Sequence, residues 1–252
     1  GWRILAVDCI EQRARETITL VQQARGSGEA VCCDVALKEQ VGALADRVAC
    51  DWGGVDLLVN NAGVSVAGCV GSAPLDNWQW VIDNDLWSVI YGCHFFVPLM
   101  KKTGGGHIVN VASNAGIATL PEMGPYNVAK AGVISLSETL RAELAAHAIG
   151  VSVVCPTFFA SRLLENLRCD TEEQYLFAKK MFDLATMDAA SVARCVLRAV
   201  EHNRLYVLPQ IDAQFVWYMK RLMPGVYAAL SGLVYRRGWH RLLLKIRTKE
   251  HS

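Results

Sequence analysis

The feature that most constrains this chain is an alternation: a short apolar run, then a longer amphipathic one, repeated several times. Residues 4–7 read as a short buried strand and 11–24 have helical spacing. Residues 30–33 and 38–52 repeat the pair, and 55–59 form a third strand, ended by Asn60-Asn61-Ala62-Gly63. A long helix is expected over about 75–101, broken by the glycines at 104–106. Then come a strand at 107–111, a helix at 125–147 and a strand at 151–155 stopped by Pro156, with a last edge strand expected at 205–208. Short apolar strands separated by amphipathic helices make a parallel sheet covered on both faces. The expected fold class is therefore α/β, a doubly wound, Rossmann-like parallel sheet in a single domain.

Composition narrows the classes of function. The chain has 252 residues, 52% hydrophobic and 19% charged, with net charge +1. That balance gives no electrostatic footprint for nucleic acid. Nine cysteines without a Cys-x-x-Cys motif read as reduced thiols of a cytoplasmic protein, and the scattered histidines suggest no metal site.

The chemistry-bearing residues lie at strand ends and on one helix. Tyr126 and Lys130 are four apart in a predicted helix and share a face. An ammonium beside a phenol favours phenolate, so the pair can exchange a proton with an alcohol or ketone. Ser113 follows the strand at 107–111, where an open α/β sheet places its ligand crevice. Its hydroxyl can polarise a carbonyl oxygen, and it can equally cap the next turn. Asn61, Ala62 and Gly63 let a ligand approach backbone, and they also suit an ordinary turn. Asp8 ends the strand at 4–7; an acidic group there accepts from a ribose hydroxyl and repels a 2′-phosphate. This favours NAD over NADP, although Arg3 and Arg13 nearby leave NADP open.

Taken together, Val59-Asn60-Asn61-Ala62-Gly63, Ile108-Val109-Asn110-Val111-Ala112-Ser113, Tyr126-Asn127-Val128-Ala129-Lys130 and Cys155-Pro156-Thr157 resemble the short-chain dehydrogenase/reductase family, in order and in separation. The resemblance runs over 1–161 and more loosely to 208. It implies a catalytic set of Ser113, Tyr126, Lys130 and Asp85, with Tyr126 as the general acid in reduction and the base in oxidation. It implies that Lys130 binds the nicotinamide ribose, and that Asp34 and Val35 meet adenine. Asn61, Ala62 and Gly63 would then line the ribose side and Pro156 the carboxamide side. The family also implies a homodimer or homotetramer through the helices beginning near Leu75 and Pro125.

The chain departs from the family in three places. The family's first strand and glycine-rich, pyrophosphate-cradling turn should precede Gly1, and no such motif is found in these residues. That strand would stand at the centre of the sheet, beside the strand carrying Asp8. Without it two half-sheets with unpaired edges are expected, with poor folding and weak dinucleotide binding, as in a truncated sequence. Asp85 stands where the family often has an asparagine, with Asn84 one residue early, and Thr157 stands where glycine is usual.

Beyond Pro156, Phe158, Phe159, Leu163, Phe177 and Phe182 could line a pocket for a bulky lipophilic alcohol or ketone, such as a steroid, a retinoid or a long-chain compound. The same residues could simply pack a lid on the core. Residues 209–252 read as a basic and apolar helical extension, with Lys220, Arg221, Arg236, Arg237, Arg241, Lys245, Arg247 and Lys249 among aromatic and aliphatic side chains. Such a segment can touch a membrane surface, cover a pocket or meet a subunit. The leading expectation is a nicotinamide-dependent oxidoreductase of a secondary alcohol/ketone pair. The alternative is a catalytically silent dinucleotide-fold binding protein.

Overall fold

The structure is a computed structural model and describes residues 1–238. The basic positions Arg241, Lys245, Arg247 and Lys249 lie outside the described residues.

Alternation produces the architecture in order. β1 (Arg3–Asp8), α1 (Glu11–Gln23), β2 (Ser27–Cys32) and α2 (Lys38–Trp52) form the first half. β3 (Leu57–Asn60) and β4 (Ser65–Ala67) lead to α3 (Leu75–Ile82), a π-helical turn (Asp83–Trp87) and α4 (Ser88–Thr103). β5 (Gly106–Val111), α5 (Ala115–Ala118), α6 (Gly124–Glu143) and β6 (Ile149–Val154) follow. The last part holds β7 (Leu167–Cys169), α7 (Glu172–Asp183), α8 (Ala189–Glu201), β8 (Tyr206–Val207), α9 (Ile211–Leu222) and α10 (Pro224–Arg236).

All strand pairings are parallel, and they fall into two main groups. β1 pairs with β2 from Arg3↔Ser27 to Asp8↔Cys32. Separately, β3, β5, β6 and β8 form a four-stranded sheet in that order. The edges of β1 and β3 are not paired to each other, and Val59 on β3 is 47% exposed, unusual for a strand of a covered parallel sheet. Leu5 of β1 and Leu58 of β3 nevertheless pack on one apolar cluster, built from Val41, Ala45 and Val48 of α2 and Phe96 of α4. The two groups are thus held in one body with a slot between them.

Two features were not anticipated. The expected single helix over 75–101 is interrupted by the π turn at Asp83–Trp87, because a wider turn there swings Asp85 into the protein, where it is completely buried. The segment is apolar on most faces, so its periodicity did not mark the extra residue. β4 and β7 also form a small parallel pair, Ser65↔Leu167 to Ala67↔Cys169, too short and too distant in sequence to leave a local pattern.

α9 and α10 dock on the helices behind the site. Lys220 donates to the Ile117 carbonyl, Tyr227 Oη donates to Ala118 O at 2.7 Å, and Arg221 pairs with Glu138 at 3.1 Å. Among the described residues no helix is long and apolar enough to cross a membrane.

Candidate active site

The C-terminal ends of β3, β5 and β6 and the start of α6 converge on one cavity of about 1650 Å³. Its walls include Asp8, Asp34, Val35, Asn61, Ala62, Gly63, Ser113, Tyr126, Lys130 and Pro156. Of the candidate catalytic and cofactor-contacting residues, Asp85 alone is not on the wall and lies one layer behind it.

Tyr126 and Lys130 stand one turn apart on α6, with the Lys130 ammonium 5.7 Å from the centre of the Tyr126 ring. Ser113 reaches them because α5 and α6 pack almost backbone to backbone. A Cβ on Gly116 would come within 2.8 Å of Lys130 and Ala131 backbone atoms, so only glycine fits in the Ser113-Asn114-Ala115-Gly116 turn. Ser113 caps the turn, its Oγ accepting from Ala115 N at 3.1 Å, and its hydroxyl lies near enough to the Tyr126 phenol to favour the phenolate.

Lys130 is held on two sides. Its Nζ donates to Val111 O at 3.2 Å and lies 3.3 Å from Asp85 Oδ2. Asp85 Oδ1 in turn accepts from Val64 N at 2.7 Å. Burial pushes the Lys130 ammonium down, but Asp85 and Tyr126 more than reverse this, leaving it above its ordinary value. Tyr126 differs from the sequence expectation. Burial raises its pKa, Lys130 lowers it, Asp85 raises it again and the nearby Ser113 hydroxyl lowers it; the result is above the usual 10. Desolvation outweighs the neighbouring cation.

Sequence reading missed the polar chain that fixes α6 on the sheet. Asn60 Nδ2 donates to Asn110 Oδ1 at 2.8 Å, and Asn110 Nδ2 donates to Ser137 Oγ at 3.0 Å. Ser137 Oγ then donates to Val133 O at 2.7 Å. The available signal was an asparagine in the middle of an apolar strand, since a buried amide needs partners.

Gly63 tests whether a cofactor fits. A Cβ there would lie 3.2 Å from both Lys130 Nζ and Asp85 Oδ1, so the absence of a side chain keeps the approach to the ammonium open. Asp8, at the other end of the cavity, uses Oδ1 to accept from Ile10 N at 2.8 Å. An ammonium at one end and a carboxylate at the other suit the two riboses of a dinucleotide. Among the described residues no glycine-rich turn stands between them.

This arrangement defines a class, and comparison with known proteins agrees. The short chain dehydrogenase family model matches residues 1–172, and the chain belongs to that family. It is 31% identical over 245 residues to the putative oxidoreductase SadH of Mycobacterium tuberculosis, covering 90% of this chain and 88% of that one. It is 37% identical over 147 residues to 3beta-hydroxysteroid dehydrogenase 1 of Eggerthella lenta, covering 58% and 56%. Among solved structures, a short chain dehydrogenase/reductase from Burkholderia phymatum in complex with NAD superposes with a TM-score of 0.80 at 28% identity, over 88% of this chain and 84% of that one.

Proposed function

We propose that this chain interconverts a lipophilic secondary alcohol and its ketone with a nicotinamide cofactor, NAD in preference to NADP. The observation that carries the reading is the convergence of Ser113, Tyr126 and Lys130 on one cavity, with the Lys130 ammonium 5.7 Å from the centre of the Tyr126 ring. The cofactor supplies or accepts the hydride. Lys130 binds its ribose hydroxyls through the opening that Gly63 leaves. Ser113 orients the carbonyl oxygen, and Tyr126 gives that oxygen a proton in reduction and takes it back in oxidation. Asp8 receives the adenosine ribose, Asp34 and Val35 meet adenine, Asn61 and Ala62 line the sugar, and Pro156 faces the carboxamide.

A phenol that keeps its proton through neutral pH suits reduction there. Oxidation needs the phenolate, so its rate should rise toward alkaline pH. The substrate end of the cavity is lined by Leu120, Phe158, Phe159, Phe177, Phe182 and Met219, which favours a large apolar molecule, and the hydroxysteroid dehydrogenase among the relatives makes steroids the first to try. A screen of lipophilic alcohols by cofactor reduction tests this, with Tyr126→Phe as control; turnover unchanged in that variant refutes it.

The cavity is larger than one small ligand needs. Its excess lies where Leu5, Val41, Val48, Leu58 and Phe96 line the slot between β1 and β3. We infer that one more parallel strand, bearing the glycine-rich turn, belongs there and completes the pyrophosphate site. Residues 1–208 then make the dinucleotide-binding domain and 209–252 its extension. On α9, the exposed Ile211, Phe215, Tyr218 and Leu222 form an outward stripe that supports contact with a membrane surface. Exposed Trp87 and Val128, on the helices the family uses between subunits, support a homodimer or homotetramer, which sedimentation would reveal.

A further inference from the structure

We propose that Asp85 is the positioning residue of this site: its buried carboxylate clamps the Lys130 ammonium to one spot and offsets part of the charge that ammonium presents to Tyr126. The proposal deepens the oxidoreductase reading and rests on it for the identity of the reacting group.

The geometry comes from four separate segments. The π turn points Asp85 inward, where none of it is exposed. The backbone after β3 supplies the Val64 amide, 2.7 Å from Oδ1, and α6 supplies Lys130, 3.3 Å from Oδ2. The end of β5 adds the Val111 carbonyl, 3.2 Å from the ammonium. An ammonium has three protons. One is directed to Val111, and the Asp85 carboxylate, 3.3 Å away without a hydrogen bond of its own at Oδ2, draws the ammonium by charge, which leaves protons for the cavity and restrains the side chain.

The charge follows from the same contacts. Four titratable groups face one another here: Asp85 from the π turn, Tyr126 and Lys130 from α6, and Cys155 just beyond β6. Burial pushes the Cys155 thiol up to about 12, so it stays neutral. Burial leaves the Asp85 carboxyl above its ordinary value, outweighing the pull of Lys130 and the Val64 amide toward the ionised form. With the two groups 3.3 Å apart, an ionised Asp85 makes Lys130 half of an ion pair as seen from Tyr126, and an ion pair stabilises a phenolate less than a lone cation does. An asparagine at this position would hold the same space with no charge. Aspartate thus trades a weaker pull on the phenol for a firmer grip on the lysine.

The test reads ionisation directly and needs no cofactor. Tyrosine labelled with ¹³C at Cζ is followed by NMR against pH in the full chain, and the Tyr126 signal is assigned with Tyr126→Phe. In the unmodified chain Tyr126 should titrate above the ordinary tyrosine value of about 10. Asp85→Asn should move that midpoint down by about one pH unit. Asp85→Ser, which also removes the charge, should move it the same way and serves if the asparagine variant does not fold. A midpoint unmoved or raised in a folded variant overturns the proposal. A Tyr126 that titrates below about 10 in the unmodified chain does so without any variant. Turnover is measured separately: a chain that titrates as described but never oxidises an alcohol sinks the oxidoreductase reading alone.

Discussion

The two halves of the sheet are built to different standards. In the half made of β3, β5, β6 and β8, all six residues of β6 are buried, and so are His107 through Asn110 of β5. An unbroken chain of side-chain hydrogen bonds ties that half to α6. In the other half, β1 buries only Ala6 and β2 buries nothing fully. The residues proposed for proton transfer sit on the first half and those proposed to face adenosine on the second. Proton transfer demands placement to within a hydrogen bond, and the rigid half supplies it. The proposed dinucleotide site draws on both halves, so its affinity should depend on how firmly the second is attached.

The sharpest way to break this comparison is to strip the chemistry from the rigid half. Tyr126→Phe should lower hydride-transfer turnover by about 10²–10⁴-fold while leaving cofactor affinity nearly unchanged, read by single-turnover kinetics and fluorescence titration. A variant that loses affinity instead would mean that the phenol is structural. The next largest effect should come from filling the slot. A parallel strand with a glycine-rich turn, fused ahead of Gly1, should tighten dinucleotide binding by about tenfold or more and raise the melting temperature. If calorimetry finds neither gain, the slot does not take a strand.

Matched truncations in the two halves give a smaller and cleaner contrast. Ile108→Ala, at a fully buried position in β5, should cost about 2–5 kcal/mol in urea unfolding. Ile4→Ala, at a half-buried position in β1, should cost about 1 kcal/mol. Equal costs would show that the halves unfold as one unit of uniform stability. The smallest effect expected is at Asp8: its change to serine should narrow the preference for NAD over NADP by a few-fold in parallel affinity measurements.

Much of this was legible in the sequence, for definite reasons. Strand-end positions and helical spacing are local properties, so Ser113, Tyr126 and Lys130 could be placed on one cleft by counting. The tyrosine's proton affinity could not, because it depends on burial, which counting does not give; the pull of Lys130 was visible and the larger desolvation was not. Asn110 shows the same limit. Its partners Asn60 and Ser137 come from segments 50 and 27 residues away. Asp85 was marked as a departure, but its inward direction depends on a turn whose width leaves no trace in an apolar helix.

That turn makes the site intolerant of indels. Deleting any single residue between Asp83 and Trp87 would let the segment wind as one regular helix, and each residue on one side would rotate by about 100° relative to the other. Either the carboxylate would leave Lys130, or Val89, Cys93, Phe96 and Met100 would turn out of the core. One extra residue is what keeps the helix in phase at both ends.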